Sequence, residues 1–143
     1  MELAKAHFDR AYFHLAEEAS WREHIEKAIE QAGLAWKNGG TPAALMLRGR
    51  ALLELRKHQE AEEAFSEYLQ YAGQDSKVLL WRAEARFYLG RYQDVREDCA
   101  RARVAGGIPG PLREAVEMWT GGALDALSGR ETPSPPPATV GKA

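Results

Sequence analysis

A chain of 143 residues can bury one core of its own, and 45% apolar with 28% charged residues is the composition of an ordinary globular protein. A net charge of −2, with arginines interspersed among Glu and Asp, excludes the basic footprint of a nucleic-acid binder. One cysteine, Cys99, excludes an internal disulfide, and no run reaches the roughly 18 apolar residues of a membrane span.

The N-terminal MELAKAHFDRAYF is charged throughout and lacks the apolar centre of a signal peptide, so a cytoplasmic location is expected. Leu3, Ala6, Ala11 and Leu15, with Phe8, Tyr12 and Phe13 between them, predict a helix over 2–18 with a wide apolar face. Ser20 with Glu23 forms a capping-box pattern for a second helix at about 21–37, which Asn38-Gly39-Gly40 ends. Thr41-Pro42 opens the third helix. The pattern then predicts helices at about 42–56, 58–72, 76–89 and 92–105, with breaks at Gly73 and Gly90 and a cap from Asp75 or Ser76. Gly106 to Pro111 is a stop and restart before a seventh helix, about 111–128, whose one side carries Leu112, Val116, Trp119, Ala123, Leu124 and Leu127. From Gly129 the sequence GRETPSPPPATVGKA has no apolar periodicity and is expected to be a flexible tail; its Pro133/Pro136 spacing and Ser134 are short patterns that arise often by chance.

Residues 79–102 match residues 45–68 at a shift of 34. Leu45 meets Leu79, Arg48 meets Arg82, Gly49 meets Ala83, Ala51 meets Ala85, Ala61 meets Val95, and Gly73 meets Gly107. Small positions match small ones and large apolar positions match large ones, which is the signature of a helical repeat array. Cys99 falls opposite Phe65 on the face expected to be buried, where it reads as a small apolar residue.

The units at 42–75 and 76–109 resemble tetratricopeptide repeats. The first offers Leu45, Gly49, His58, Ala61, Phe65 and Tyr68 at the family's pattern positions. The second offers Leu79, Ala83, Tyr92, Val95, Cys99 and Ala102, and Leu-Gly-Arg-Tyr at 89–92 is similar to the family's inter-helix turn. Gly73 and Gly107 stand where proline is usual, and Tyr68 where alanine is usual. The resemblance implies an all-α fold over 1–128, a right-handed superhelical stack of antiparallel helix pairs. A degenerate pair at 2–38 would precede the two repeats, and the helix at 111–128 would cap the open end. It also implies a concave groove lined by the first helix of each pair, holding a peptide or an amphipathic helix of another protein.

Carried over one at a time, the groove positions are Met46, Leu47, Arg50 and Leu53 in one unit and Lys77, Leu80, Trp81, Glu84, Phe87 and Tyr88 in the next. Asp9, Arg10 and Phe13 would add to them from the first pair. This set is apolar over more than the ~100° stripe that packing alone needs, and such patches mark binding sites. The alternative is burial of these residues within the chain or between copies. The carboxylate clamp of chaperone-binding members is not expected, because Leu47 replaces its asparagine and Trp81 its arginine, although Lys77 matches.

No catalytic constellation emerges. His7 and His14 stand seven residues apart, about 10 Å along a helix, too far for one metal. His24 and His58 are isolated, and Glu17-Glu18 and Glu62-Glu63 diverge around a helix. Gly106-Gly107 and Gly121-Gly122 lack the Gly-Lys-Ser/Thr of a phosphate loop. The expectation is a protein-binding adaptor or chaperone with another protein as partner, not an enzyme, with no cofactor, metal or nucleic acid. The alternative is a self-associating structural subunit of a larger assembly, a homo-oligomer.

Overall fold

The structure, a computed structural model, describes residues 18–129. The predicted helix at 2–18, with His7, His14, Asp9, Arg10 and Phe13, and the proline-rich segment after Gly129 lie outside the described residues. The described chain holds six helices: α1 (Glu18–Lys37), α2 (Ala43–Glu54), α3 (His58–Ala72), α4 (Ser76–Tyr88), α5 (Tyr92–Ala105) and α6 (Gly110–Leu127). No strand occurs among the described residues, which are all-α and repeat-like.

The helix starts follow local chemistry. Asp75 is the N-cap of α4, its carboxylate accepting the Lys77 backbone N–H at 3.0 Å. At α2 the Thr41 backbone carbonyl, not its hydroxyl, accepts the Ala44 N–H at 3.0 Å. Ser20 does not cap a helix as its pattern predicted, because α1 is already under way at Glu18. A cap is worth about 1 kcal/mol, a weak preference once the preceding residues are helical.

The described residues fall into two compact units divided between Tyr71 and Ala72. In the first, α1 packs on α2. Helices α2 and α3 approach at Gly49, where a Cβ would lie 2.7 Å from Phe65 Cδ1 and 2.8 Å from Cζ. Its core is Ile25, Ala28 and Ala32 of α1, Leu45, Ala51 and Leu52 of α2, and Ala61, Phe65 and Leu69 of α3. In the second unit α4 packs on α5, and α6 lies against both. The core there is Val78, Leu79, Leu80, Val95, Cys99, Ala102 and Trp119. Where the first unit sets Gly49 beneath Phe65, the matched positions of the second are Ala83 and Cys99, a larger residue facing the site of a smaller one.

The backbone repeats with the sequence. Gly39, Gly73 and Gly107 follow one another at the repeat period and take φ of 84°, 83° and 65°. Gly90 (φ 78°) has as its match one repeat earlier Arg56 (φ 59°), the one described non-glycine residue with positive φ. A left-handed conformation costs an L-residue about 1–2 kcal/mol, and glycine escapes that cost.

Two stability changes should follow. Gly49→Ala forces Phe65 off its seat, and urea unfolding should read a loss of about 1–3 kcal/mol. Arg56→Gly relieves the left-handed strain and should raise stability by about 0.5–1 kcal/mol, after the added freedom of the unfolded glycine is subtracted, seen as a higher melting temperature.

Candidate functional site

Helix α4 is buried at ten of its thirteen positions, including Arg82 and Glu84, so its charged residues must be satisfied inside the protein. Arg82 and Arg86 are one turn apart and share a face. Both reach Asp98 of α5, which is 0% exposed. Arg82 donates through Nε to Oδ2 at 3.0 Å and through Nη2 to Oδ1 at 2.6 Å, a bidentate pair. Arg86 Nη1 donates to Oδ2 at 2.9 Å. Burial pushes the Asp98 carboxyl up from its ordinary range, and the two guanidiniums pull against that shift. With no solvent access, Asp98 serves the packing of α4 on α5 and not proton transfer to a ligand.

Next to this network the α4–α6 contact is aromatic. Phe87 packs against Trp119 at a centroid distance of 5.1 Å and against Tyr92 at 5.4 Å. Tyr88 reaches Trp119 at 6.1 Å. Gly122 lets α6 come close, since a Cβ there would lie 3.0 Å from Phe87 Cε2. Cys99 is fully buried in this unit; burial pushes its thiol up, and a hydrogen bond with Thr120 opposes the shift. It is a packing residue, not a reactive one.

These contacts bear on the sequence-predicted groove. In the second unit Leu80, Trp81, Glu84 and Phe87 are buried, Lys77 is half-buried, and Tyr88 is 40% exposed. For Phe87 and Tyr88 the cover is α6 itself, through Trp119. In the first unit Leu47 and Leu53 are buried, while Met46 and Arg50 are half-buried. The groove positions with solvent access are therefore Met46, Arg50, Lys77 and Tyr88. The breadth of apolar surface on α2 and α4, read from sequence as a patch, is largely core.

The first unit carries a second surface that sequence reasoning missed. Trp36 Nε1 donates to Glu67 Oε1 at 3.0 Å, and the Trp36 ring meets Tyr71 edge-on at 5.1 Å, tying the end of α1 to α3. Beside them is an open cleft of about 390 Å³ whose lining joins the apolar Ile29, Leu34 and Trp36 to the charged Glu30, Lys37, Arg48 and Glu67. The signal lay in Leu34, Trp36 and Tyr71, large apolar residues at helix ends, but their meeting is long-range and no spacing rule reveals it.

Among the described residues no group of three or more His, Cys, Asp or Glu side chains could hold a metal ion. No helix among them is long and apolar enough to cross a membrane. No family model matches the chain, and no curated protein matches it.

Asp98→Ala should leave two guanidiniums without their buried counter-charge and cost about 3–5 kcal/mol in chemical denaturation. The triple variant Arg82→Met, Arg86→Met, Asp98→Leu should recover most of that loss, because the charges and their desolvation penalty leave together.

Proposed function

We propose that the chain is a protein-binding module of tetratricopeptide type, an adaptor or chaperone that holds a peptide or amphipathic helix of a partner protein through the first helices of its repeats, α2 and α4. The observation that carries this reading is the recurrence of left-handed glycines at the repeat period, bracketing helix pairs with matched buried positions. That period belongs to modules whose work is recognition, in which each unit supplies rigid helical surface. The positions with solvent access are Met46 and Arg50 on α2, and Lys77 and Tyr88 on α4. Each helix thus offers an apolar contact, the Met46 thioether on α2 and the Tyr88 ring on α4, and α4 adds the Lys77 cation, a pairing suited to a segment with an apolar anchor and an acidic flank.

The test is affinity capture from an extract of the source cells with the full chain beside Lys77→Glu and Tyr88→Ala. A partner held by the wild type should be lost with both variants, while their melting temperatures stay within the range of surface substitutions. Capture of the same proteins by all three would remove these positions as the site. Trp81→Glu is unsuitable for this purpose: with Trp81 only 7% exposed, it should lower stability outright.

A second reading, a self-associating subunit of a larger assembly, is favoured by Leu124 and Leu127 of α6, which are 44% and 48% exposed and one turn apart. It requires a concentration-dependent oligomer in light scattering that Leu124→Glu converts to monomer.

A further inference from the structure

The repeat places an arginine at the same point of both units, Arg48 in α2 and its match Arg82 in α4. The second unit answers its arginine from within, through Asp98. The match of Asp98 one repeat earlier is Ala64, so the first unit lacks that carboxylate. Arg48 is half-buried and makes no hydrogen bond or ion pair among the described residues. The cleft it lines also carries Glu30, Glu67 and Lys37, but Arg48 forms an ion pair with neither carboxylate. A guanidinium partly withdrawn from water and unpaired can receive an anion.

Its surroundings make it part of a site. Arg48 lines the cleft of about 390 Å³, and the apolar walls there are Ile29, Leu34, Leu45 and the Trp36 ring. Glu67, which also lines it, has one oxygen engaged by the Trp36 indole. Gly33 borders the cleft too, in the interior of α1, where a glycine costs about 1 kcal/mol relative to alanine. Packing does not demand it: a Cβ at Gly33 would meet nothing nearer than Arg48 Nε at 3.9 Å, whereas Gly49 is required by the Phe65 ring. What Gly33 does is keep the cleft open beside the guanidinium. The aromatic surface continues past the cleft to Tyr71, 61% exposed and edge-on to Trp36, so an occupant anchored in the cleft has further apolar surface to contact outside it.

We propose that this cleft of α1, α2 and α3 docks a segment of a partner protein that inserts a bulky apolar side chain between Ile29, Leu34 and Trp36 and pairs an adjacent carboxylate with Arg48. The partner thus supplies the acid that Asp98 supplies inside the second unit. This rests on the reading of the chain as a protein-binding module, on a surface other than the first-helix positions named above.

The test is selection of random linear peptides displayed on phage against the full chain, followed by fluorescence anisotropy of the enriched peptides on four proteins: wild type, Gly33→Leu, Arg48→Glu and Tyr88→Ala. Gly33→Leu fills the cleft and raises helix propensity, so it should stay folded, which a thermal melt checks. The expected peptides carry a large apolar residue beside Asp or Glu, lose about tenfold or more in affinity with Gly33→Leu and with Arg48→Glu, and keep it with Tyr88→Ala. Changing the peptide acid to lysine should restore binding to Arg48→Glu. Peptides indifferent to both cleft variants overturn the proposal, and if Tyr88→Ala abolishes their binding the protein-binding reading stands without this cleft. Enrichment of no peptide over the bare support overturns both.

Discussion

A helix can fold back on its predecessor only if the chain reverses within a few residues, and here the reversals pass through left-handed backbone. Gly39, Gly73 and the pair Gly106-Gly107 follow the ends of α1, α3 and α5, with Gly106 the C-cap of α5, and Arg56 and Gly90 turn α2 into α3 and α4 into α5. The rest of the described structure depends on this schedule. Helix α5, at 14 residues, is about as long as the schedule allows between stops. Because the stops recur once per repeat, the buried faces of matched helices recur in phase, and Leu45 and Leu79, Ala51 and Ala85, or Ala61 and Val95 reach the core together. Arg56 shows that the geometry, and not the residue, is the constraint: the turn is made there at an energetic cost that glycine would avoid.

The same logic says why the helices were legible in the sequence and the surfaces were not. Helix existence depends on local propensity and on period, and both are written within a few residues, so the six described helices start and end within a few residues of the predicted ones. Even Cys99 could be placed, since its partner in the shift, Phe65, stands on the buried face. Periodicity reports which positions of a helix face a neighbour but not how many neighbours there are. Leu47, Leu53, Leu80 and Trp81 looked like surplus apolar surface, and all four are buried. Phe87 was read in the same way, and its cover is Trp119, on a helix two further along the chain. Arg82, Arg86 and Asp98 were beyond reach for a different reason. Charged residues on helices are usually solvated, and nothing local distinguishes a buried ion pair from an exposed one.

That network raises a physical question of its own, because a buried ion pair is weak evidence for stability. Withdrawing an arginine and an aspartate from water costs several kcal/mol, which the bidentate geometry and the second guanidinium offset. Apolar residues at the three positions would pack α4 on α5 without that cost. What they would not do is define the alignment of the two helices, because apolar faces tolerate sliding whereas the forked contact of Arg82 with both oxygens of Asp98 is satisfied in one register. The first unit sets its register by shape instead, with Phe65 seated over Gly49. Two devices, one electrostatic and one steric, therefore do the same job at successive steps of one repeat.

That substitution of devices is what releases Arg48. Once Phe65 and Gly49 fix α3 against α2, a carboxylate at position 64 is unnecessary there, and the small Ala64, 1% exposed, fills the position instead. The arginine of the repeat remains without the acid that would hold it inward, and it borders Gly33 on α1. A repeat protein acquires distinct surfaces from units of one pattern in this way: the positions that hold the scaffold are duplicated, one unit adopts another means of doing the same work, and the group made redundant is left without its partner. In this chain the group is a cation beside the apolar side chains of Ile29, Leu34 and Trp36, the pairing on which the proposed recognition of an acid next to an apolar anchor depends.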